Sequence, residues 1–425
     1  MGTENREGTM RRARGAAAAR QRRRTARPPE LRWRACAALA FAFALGPAVP
    51  RAAAENPGTT AAPILQFPIG ARAFGMGSAF TGVASDVSSI YYNPAGLSTI
   101  DYRELSFMYL KGFEDQKLEH IAAVTPLPLA GLIEQGYASL AASALFSQNG
   151  TIEYNRLAPD GTLQSSESLD AGSDFVGTLA YAERIGNYEF RTRRDKEITV
   201  QHYAGVSGKY IASSLANGQY KAKAYAGDFG YLVKSPETGL SVGASLLNLG
   251  SKMKFLEEGD PLPMTARLGA AQRVELPDVL SMPANHALLF AADGVYLVHE
   301  EQWHVDFGME YSAWRHYALR LGYRFHQDLV GLTFGFGAVW RQFGIDYAWG
   351  MTSALSDTHR FSLTWRFGRV SQPKREMKRK PFIESMPERE DLLDIEERRP
   401  EYLTPPQRPK AAPSEERRRA PGWIY

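Results

Sequence analysis

From Tyr102 to Gly368 the chain alternates large apolar residues with small or polar ones, over stretches of 8–12 positions punctuated by turn residues. In the last stretch Phe361, Leu363, Trp365 and Phe367 face one way, and Arg360, Ser362, Thr364 and Arg366 the other. Trp303, Val305, Phe307, Met309 and Tyr311 likewise alternate with His304, Asp306, Gly308, Glu310 and Ser312. A period of two commits these stretches to β-strands. A soluble β-sandwich alternates too, but it buries its large residues and shows Lys, Glu and Thr to water. Here the second face is Gly, Ala, Ser and a few opposed charges, with aromatics gathered at strand ends. That is the pattern of a membrane barrel, with lipid outside and a tight polar lumen inside.

Fourteen such segments can be counted: 102–110, 119–126, 135–146, 174–185, 198–213, 221–234, 239–249, 263–274, 285–298, 302–313, 316–326, 330–341, 342–350 and 358–368. The count is even, as a closed antiparallel barrel from bacteria requires. The expected fold is therefore all-β, a transmembrane antiparallel barrel of about 14 strands. The connections Phe146–Asp174 and Glu183–Thr199 are polar and charged and read as extracellular loops between short periplasmic turns. Asp306, Glu310, Arg320, Arg324, Asp346, Arg360 and Arg366 fall on the small, inward faces of neighbouring C-terminal strands. Opposite charges across a narrow interior are expected to form one network that fills and stiffens the lumen. A role in guiding substrate is the alternative.

The two ends differ from the middle. Lys plus Arg is 50 and Asp plus Glu 46, a net +4. Residues 1–54 carry +9, 371–425 carry +2, and 55–370 carry −7. An acidic folded region excludes a nucleic-acid binder. Residues 1–54 combine an Arg-rich stretch, the apolar run Cys36–Leu45 and Ala52-Ala53-Ala54, which together read as a secretory signal peptide. Its removal would take away Cys36, the single cysteine. The longest mainly apolar run, Ala35–Pro50, has sixteen residues, short of the roughly 20 a membrane helix needs. Residues 369–425 are rich in Pro and mixed charge and are expected to form a disordered periplasmic tail, either a passive extension or a contact for periplasmic components. No zinc-protease, Walker, nucleophile-elbow or cysteine-ligand motif occurs, so no enzyme activity, metal or cofactor is expected.

Between the signal and the first strand lies a compact, small-residue segment, 55–101. Gly70, Gly75, Gly77 and Gly82 permit positive φ and close backbone approach. Their spacing is not that of a dinucleotide loop. Val83–Ser89 is expected to form a short helix, ended by Asn93-Pro94. Such a segment suits a plug inside the lumen. The run Gly70-Ala-Arg72-Ala-Phe-Gly75-Met-Gly77, with Asp86 and Tyr92-Asn93-Pro94-Ala95-Gly96-Leu97, resembles the amino-terminal signature of the PorV/PorQ proteins, within the wider FadL-like outer-membrane family. The likeness continues through Asn248-Leu-Gly250, Arg267-Leu-Gly269, Leu319–Tyr323, Gly335-Phe-Gly337, Ile345–Ala348 and His359–Leu363. The resemblance implies a fourteen-stranded barrel at residues 102–368, in the outer membrane, with segment 55–101 as a hatch bearing the Asn93–Ala95 element.

Two functions follow from the resemblance. PorV-type proteins receive exported proteins through their C-terminal signal domains in type IX secretion. FadL-type proteins pass hydrophobic small molecules, such as long-chain fatty acids, through the barrel. The second wants an apolar lumen pocket and a lateral opening, whereas the inward strand faces are small or charged, which favours the first.

Overall fold

A computed structural model describes residues 58–369, apart from 113–114, 128–130, 134–137, 192–196, 277–284, 327–329 and 353–356. The expected signal peptide and most of the expected tail lie outside the described residues.

Fourteen antiparallel strands form one closed barrel. They are β1 (Arg103–Lys111), β2 (Lys117–Leu127), β3 (Ala138–Gln148), β6 (Gly172–Arg191), β7 (Glu197–Leu215), β8 (Tyr220–Ser235) and β9 (Leu240–Gly250). The second half is β12 (Thr265–Glu275), β13 (Ala287–Leu297), β14 (Gln302–Ala313), β15 (Tyr317–Phe325), β16 (Val330–Trp340), β17 (Phe343–Thr352) and β18 (Thr358–Phe367). The seam closes where β1 pairs with β18, from Arg103 opposite Phe367 to Lys111 opposite His359. Every strand is thus paired on both sides, and both ends of the barrel sequence lie at the same rim.

Burial is inverted relative to a soluble protein. Asp228, Asp306 and Thr333 are fully enclosed, while Leu179, Leu268, Leu319 and Phe361 stand more than half exposed on the outer wall. The cause is the alternation: one-residue register shifts would turn all the charges outward. Aromatic side chains form two outer belts. Phe146, Phe175, Tyr210 and Tyr225 touch in sequence across β3, β6, β7 and β8 near the rim remote from the seam's chain ends. Trp314 with Tyr317, and Phe343 with Trp365 and Phe367, lie at the other rim.

The two long connections depart from expectation. Successive connections of an up-and-down barrel alternate between rims, so 146–174 and 183–199 cannot both be extracellular. Residues 183–199 are mostly strand: β6 continues to Arg191 and β7 begins at Glu197, and the two extend together past β8 on the rim where the barrel sequence starts and ends. The 146–174 connection is also not irregular. It holds a two-stranded ribbon, β4 (Thr151–Leu157) with β5 (Leu163–Asp170). A smaller pair, β10 (Met253–Lys254) with β11 (Gly259–Asp260), sits in the connection after β9.

The N-terminal segment is built of short turns: a 3₁₀ turn at Pro63–Gln66, one helical turn at Ala71–Gly75, another at Ser89–Tyr92 and a 3₁₀ turn at Pro94–Thr99. The helix expected at 83–89 forms instead at 89–92. Asn93 stops it and starts the next turn, its Oδ1 accepting from the Ala95 amide at 3.2 Å. Nearly all of residues 69–100 are buried, although they form almost no regular structure.

Candidate functional site

The N-terminal segment packs on the inner faces of the strands, and glycine is what lets it approach. Three glycine pairs sit opposite one another on adjacent strands: Gly205 with Gly230, Gly243 with Gly269, and Gly308 with Gly322. A Cβ on any of them would collide with a neighbour: Pro94 and Ala95 over Gly205, Asn93 over Gly230, Thr81 over Gly243, Gly82 and the Asp293 carboxylate at Gly269, Met76 over Gly308, and Gly77 over Gly322. Gly75 meets Gly335 in the same way. Gly77 itself needs its positive φ of 64° to turn there. Gly70, at φ 83°, begins the 71–75 turn and donates its amide to Met108 Sδ at 3.0 Å. Gly96 lies against Ala84 within the segment.

Polar side chains then fasten the backbone of the segment to the wall. Asn93 Nδ2 donates to Thr81 O at 3.1 Å and to Tyr231 O on β8 at 3.0 Å. Asp293 Oδ2 accepts the amides of Phe80 and Thr81 at 2.9 and 2.8 Å. The Gly77 amide donates to Thr333 Oγ1 at 3.1 Å, the Ala71 amide to Ser362 Oγ at 3.0 Å, and Ser245 Oγ to Tyr92 O at 2.7 Å. Within the segment, the Tyr92 hydroxyl donates to Ile69 O at 3.1 Å. Burial pushes the Tyr92 phenol up to about 12, so it stays a donor.

The inward charges do not form one network. They divide into separate groups, and the segment supplies part of the largest. Arg72 grips Glu310 with two hydrogen bonds of 2.9 and 3.0 Å and reaches Asp86 at 2.9 Å. Glu310 also accepts from Arg320 at 2.7 Å, and Arg320 donates to Asp346 at 2.7 Å. Asp86, Arg72, Glu310, Arg320 and Asp346 thus make a chain of alternating sign. Burial opposes the Arg72 charge, yet the two carboxylates hold its pKa well above the ordinary value. A second group centres on Asp306, with Arg324 at 3.2 Å and Arg267 at 3.4 Å; Arg267 also meets Asp293 at 3.2 Å and donates to Ser78 O. Among the described residues Arg366 pairs with Glu104 across the seam, at 3.1 Å, and Glu104 accepts the Val87 amide. On the far wall Lys209 pairs with Asp228 at 2.9 Å.

Arg360 belongs to none of these groups. Among the described residues no carboxylate pairs with it. Its guanidinium lies 3.4 Å from the Phe74 ring centre, and its Nε is buried without a hydrogen bond. Its Nη1 donates to Thr358 Oγ1 at 3.0 Å, and a buried charge without a carboxylate partner opposes folding, so Arg360→Met is expected to leave the unfolding midpoint unchanged or to raise it. Arg320→Met should lower it. Equal losses in a denaturant titration would show that Arg360 is held as firmly as Arg320.

Arg360 faces a cavity of about 380 Å³ between the segment and the inner wall. Leu65, Phe67, Phe74, Tyr91 and Tyr92 give it apolar and aromatic walls. Leu110, Leu247, Val295 and Leu297 of the strands complete the apolar lining, so the inner faces are not only small or charged, against the expectation from the alternation alone. Arg267, Asp293, Glu104, Lys209 and Asp228 are also absent from the set expected from sequence. Each lies on the inward face of its strand, and that periodicity was the available signal.

With the geometry in hand, comparison with known proteins adds one family and several barrels. Residues 46–156 match the model of an uncharacterised protein family, UPF0164. The match covers about a quarter of the chain. No curated protein matches. Among solved structures, a deletion mutant of the TodX monoaromatic hydrocarbon channel is 10% identical, covering 72% of this chain and 99% of that one with a TM-score of 0.42. A FadL homologue from Pseudomonas aeruginosa is 11% identical, covering 69% and 98%, with a TM-score of 0.38. The outer-membrane protein Omp33 of Acinetobacter baumannii is 8% identical, covering 63% and 98%, with a TM-score of 0.35. The barrel assignment rests on its own strand pairing, and these distant likenesses add nothing to it on function.

Proposed function

We propose that the protein is a non-enzymatic barrel of the bacterial outer membrane, that segment 55–101 is a hatch closing its lumen, and that it receives exported proteins at its rim, as PorV-type proteins do in type IX secretion. The inverted burial supports the bilayer setting: enclosed charges and an apolar, aromatic-belted exterior suit lipid and not water. The observation that carries the rest is the glycine seat. A segment whose backbone touches Gly230, Gly243, Gly308 and Gly322 leaves no through-path beside it at those contacts. The closed order of fourteen strands, interrupted only by register shifts in β6–β7, β8–β9 and β16–β17 among the described residues, offers no unpaired strand edge for lateral release. A closed barrel of this kind is suited to holding a partner. The tail at 369–425 would leave on the periplasmic side, at the rim where the segment enters β1.

A second reading, passage of hydrophobic small molecules, is favoured by the cavity lined by Phe67, Phe74, Tyr91 and Tyr92. Deleting the gene and measuring both the surface proteome and uptake of labelled fatty acids separates the two. Loss of proteins from the surface with normal uptake is the expected result. Normal surface display with lost uptake would replace the first reading with the second.

A further inference from the structure

The β4–β5 ribbon stands outside the barrel at the rim opposite the barrel's chain ends. All seven residues of β4 are exposed, and β5 is exposed at all but Ser165 and Leu169. Neither outer edge is paired with another strand among the described residues. At about 3.3 Å per residue, β4 and the stretch of β5 before Asp170, which bonds Asn217, each offer roughly 23 Å of edge backbone with no strand beside it. A two-stranded ribbon with nothing packed on it is marginal in water, yet this one is firmly mounted. At its base the Asn149 amide donates to Gly172 O, the Ala171 amide to Gly150 O, and the Asp170 amide to Asn217 Oδ1 at 2.7 Å. At its tip the Gly161 amide donates to Ala158 O and the Thr162 amide to Asp160 Oδ1. Proteins usually blunt free edges with Lys or Pro. Neither β4 nor β5 contains either residue.

We propose that this ribbon is a docking strand, and that its occupant is an extended, positively charged segment of another protein chain that adds as a third strand. Charge selects the occupant. Residues 151–170 hold Glu153, Asp160, Glu167 and Asp170 against Arg156 alone, a net −3. A second copy of this chain would set like charge against like, edge to edge, which is unfavourable. Backbone hydrogen bonds give such additions their affinity, and alternate side chains give their specificity. Ile152 and Tyr154, on one face with Glu167 opposite Tyr154, are 59% and 48% exposed and provide an apolar contact beside the carboxylates. The inference rests on the protein-binding reading above and names where that partner docks.

The test uses the full chain in detergent micelles and three labelled decapeptides: alternating Lys-Thr, alternating Glu-Thr and alternating Lys-Pro. The Lys-Thr probe should bind at least tenfold more tightly than either of the others, because Glu-Thr has the wrong charge and every second residue of Lys-Pro lacks an amide. Its binding should fall at least tenfold in Glu153→Lys/Glu167→Lys, which keeps the ribbon, and vanish when 151–170 is replaced by a short Gly-Ser turn. Heat-modifiable gel mobility checks that both variants retain the barrel. Equal binding of Lys-Thr and Lys-Pro, undiminished binding to the ribbonless chain, or no binding of Lys-Thr at millimolar concentration would each overturn the proposal. Cells making only the ribbonless chain separate the two ideas. If they display exported proteins normally while cells lacking the gene do not, the docking inference fails and the secretion reading stands.

Discussion

Gly322→Val is expected to expel the N-terminal segment from the lumen. A Cβ on Gly322 would fall on the Gly77 amide nitrogen and the Met76 carbonyl carbon, which are backbone atoms, with the Thr333 side chain beside them. No rotamer change can clear them. Overpacking costs about 1–3 kcal/mol where side chains can adjust, and here one side of the clash cannot, so the loss should fall at or above the top of that range. Thr333 Oγ1 would lose the Gly77 amide at the same time. Trypsin should then cut after Arg72, a site only partly exposed in the native chain, and the variant should conduct more ions in planar bilayers than the native protein. Gly208→Val is the control, because nothing lies within 4 Å of its Cβ position. If Gly322→Val resists trypsin and stays closed as Gly208→Val does, the seat does not hold the segment.

The second large effect concerns Glu310. Glu310→Ala would leave Arg72 and Arg320 buried without the carboxylate they share. Removing one partner of a buried ion pair typically costs about 3–5 kcal/mol, because the partner charge remains desolvated. The denaturant midpoint of folding should fall accordingly. Arg72→Ala alone should cost less, since Glu310 keeps Arg320. The double variant should fall well short of the sum of the two, as members of one network do. Additive losses would mean that Arg72 and Glu310 contribute separately.

How far these sites could be read in advance follows from the geometry of each pairing. The strands were legible because a period of two with a small second face has one structural solution. Asp306 with Arg324 and Glu310 with Arg320 were legible as charge partners because they face each other directly across one short hairpin. Arg267 and Asp293 meet diagonally instead: Asp293 lies opposite Gly269 and Arg267 opposite Val295. Glu104 and Arg366 are neighbours only because the barrel closes, 262 residues apart. Arg360 looked like a network member by its side of the strand, but the residues facing it are Ala348 and Leu110. The register therefore leaves it without a carboxylate. The β4–β5 ribbon is not legible in the sequence because its alternation is too short: Ile152 and Tyr154 alternate with Glu153 and Asn155, but Arg156 breaks the pattern and Leu163–Asp170 is almost wholly polar.

The way the segment spreads its contacts bears on how the chain assembles. Its anchors lie on β8, β9, β13, β14, β16 and β18, the last through Ser362 to the Ala71 amide. Residues 69–100 therefore reach their resting place only when the last strand has arrived. Seam closure between β1 and β18 already demands contacts of extreme sequence separation, which are slow to form. Seating the segment adds its interactions to that same final event. A chain stopped short of β18 would present an unseated amino-terminal stretch to any protease it meets, so protection of the end made first depends on the end made last.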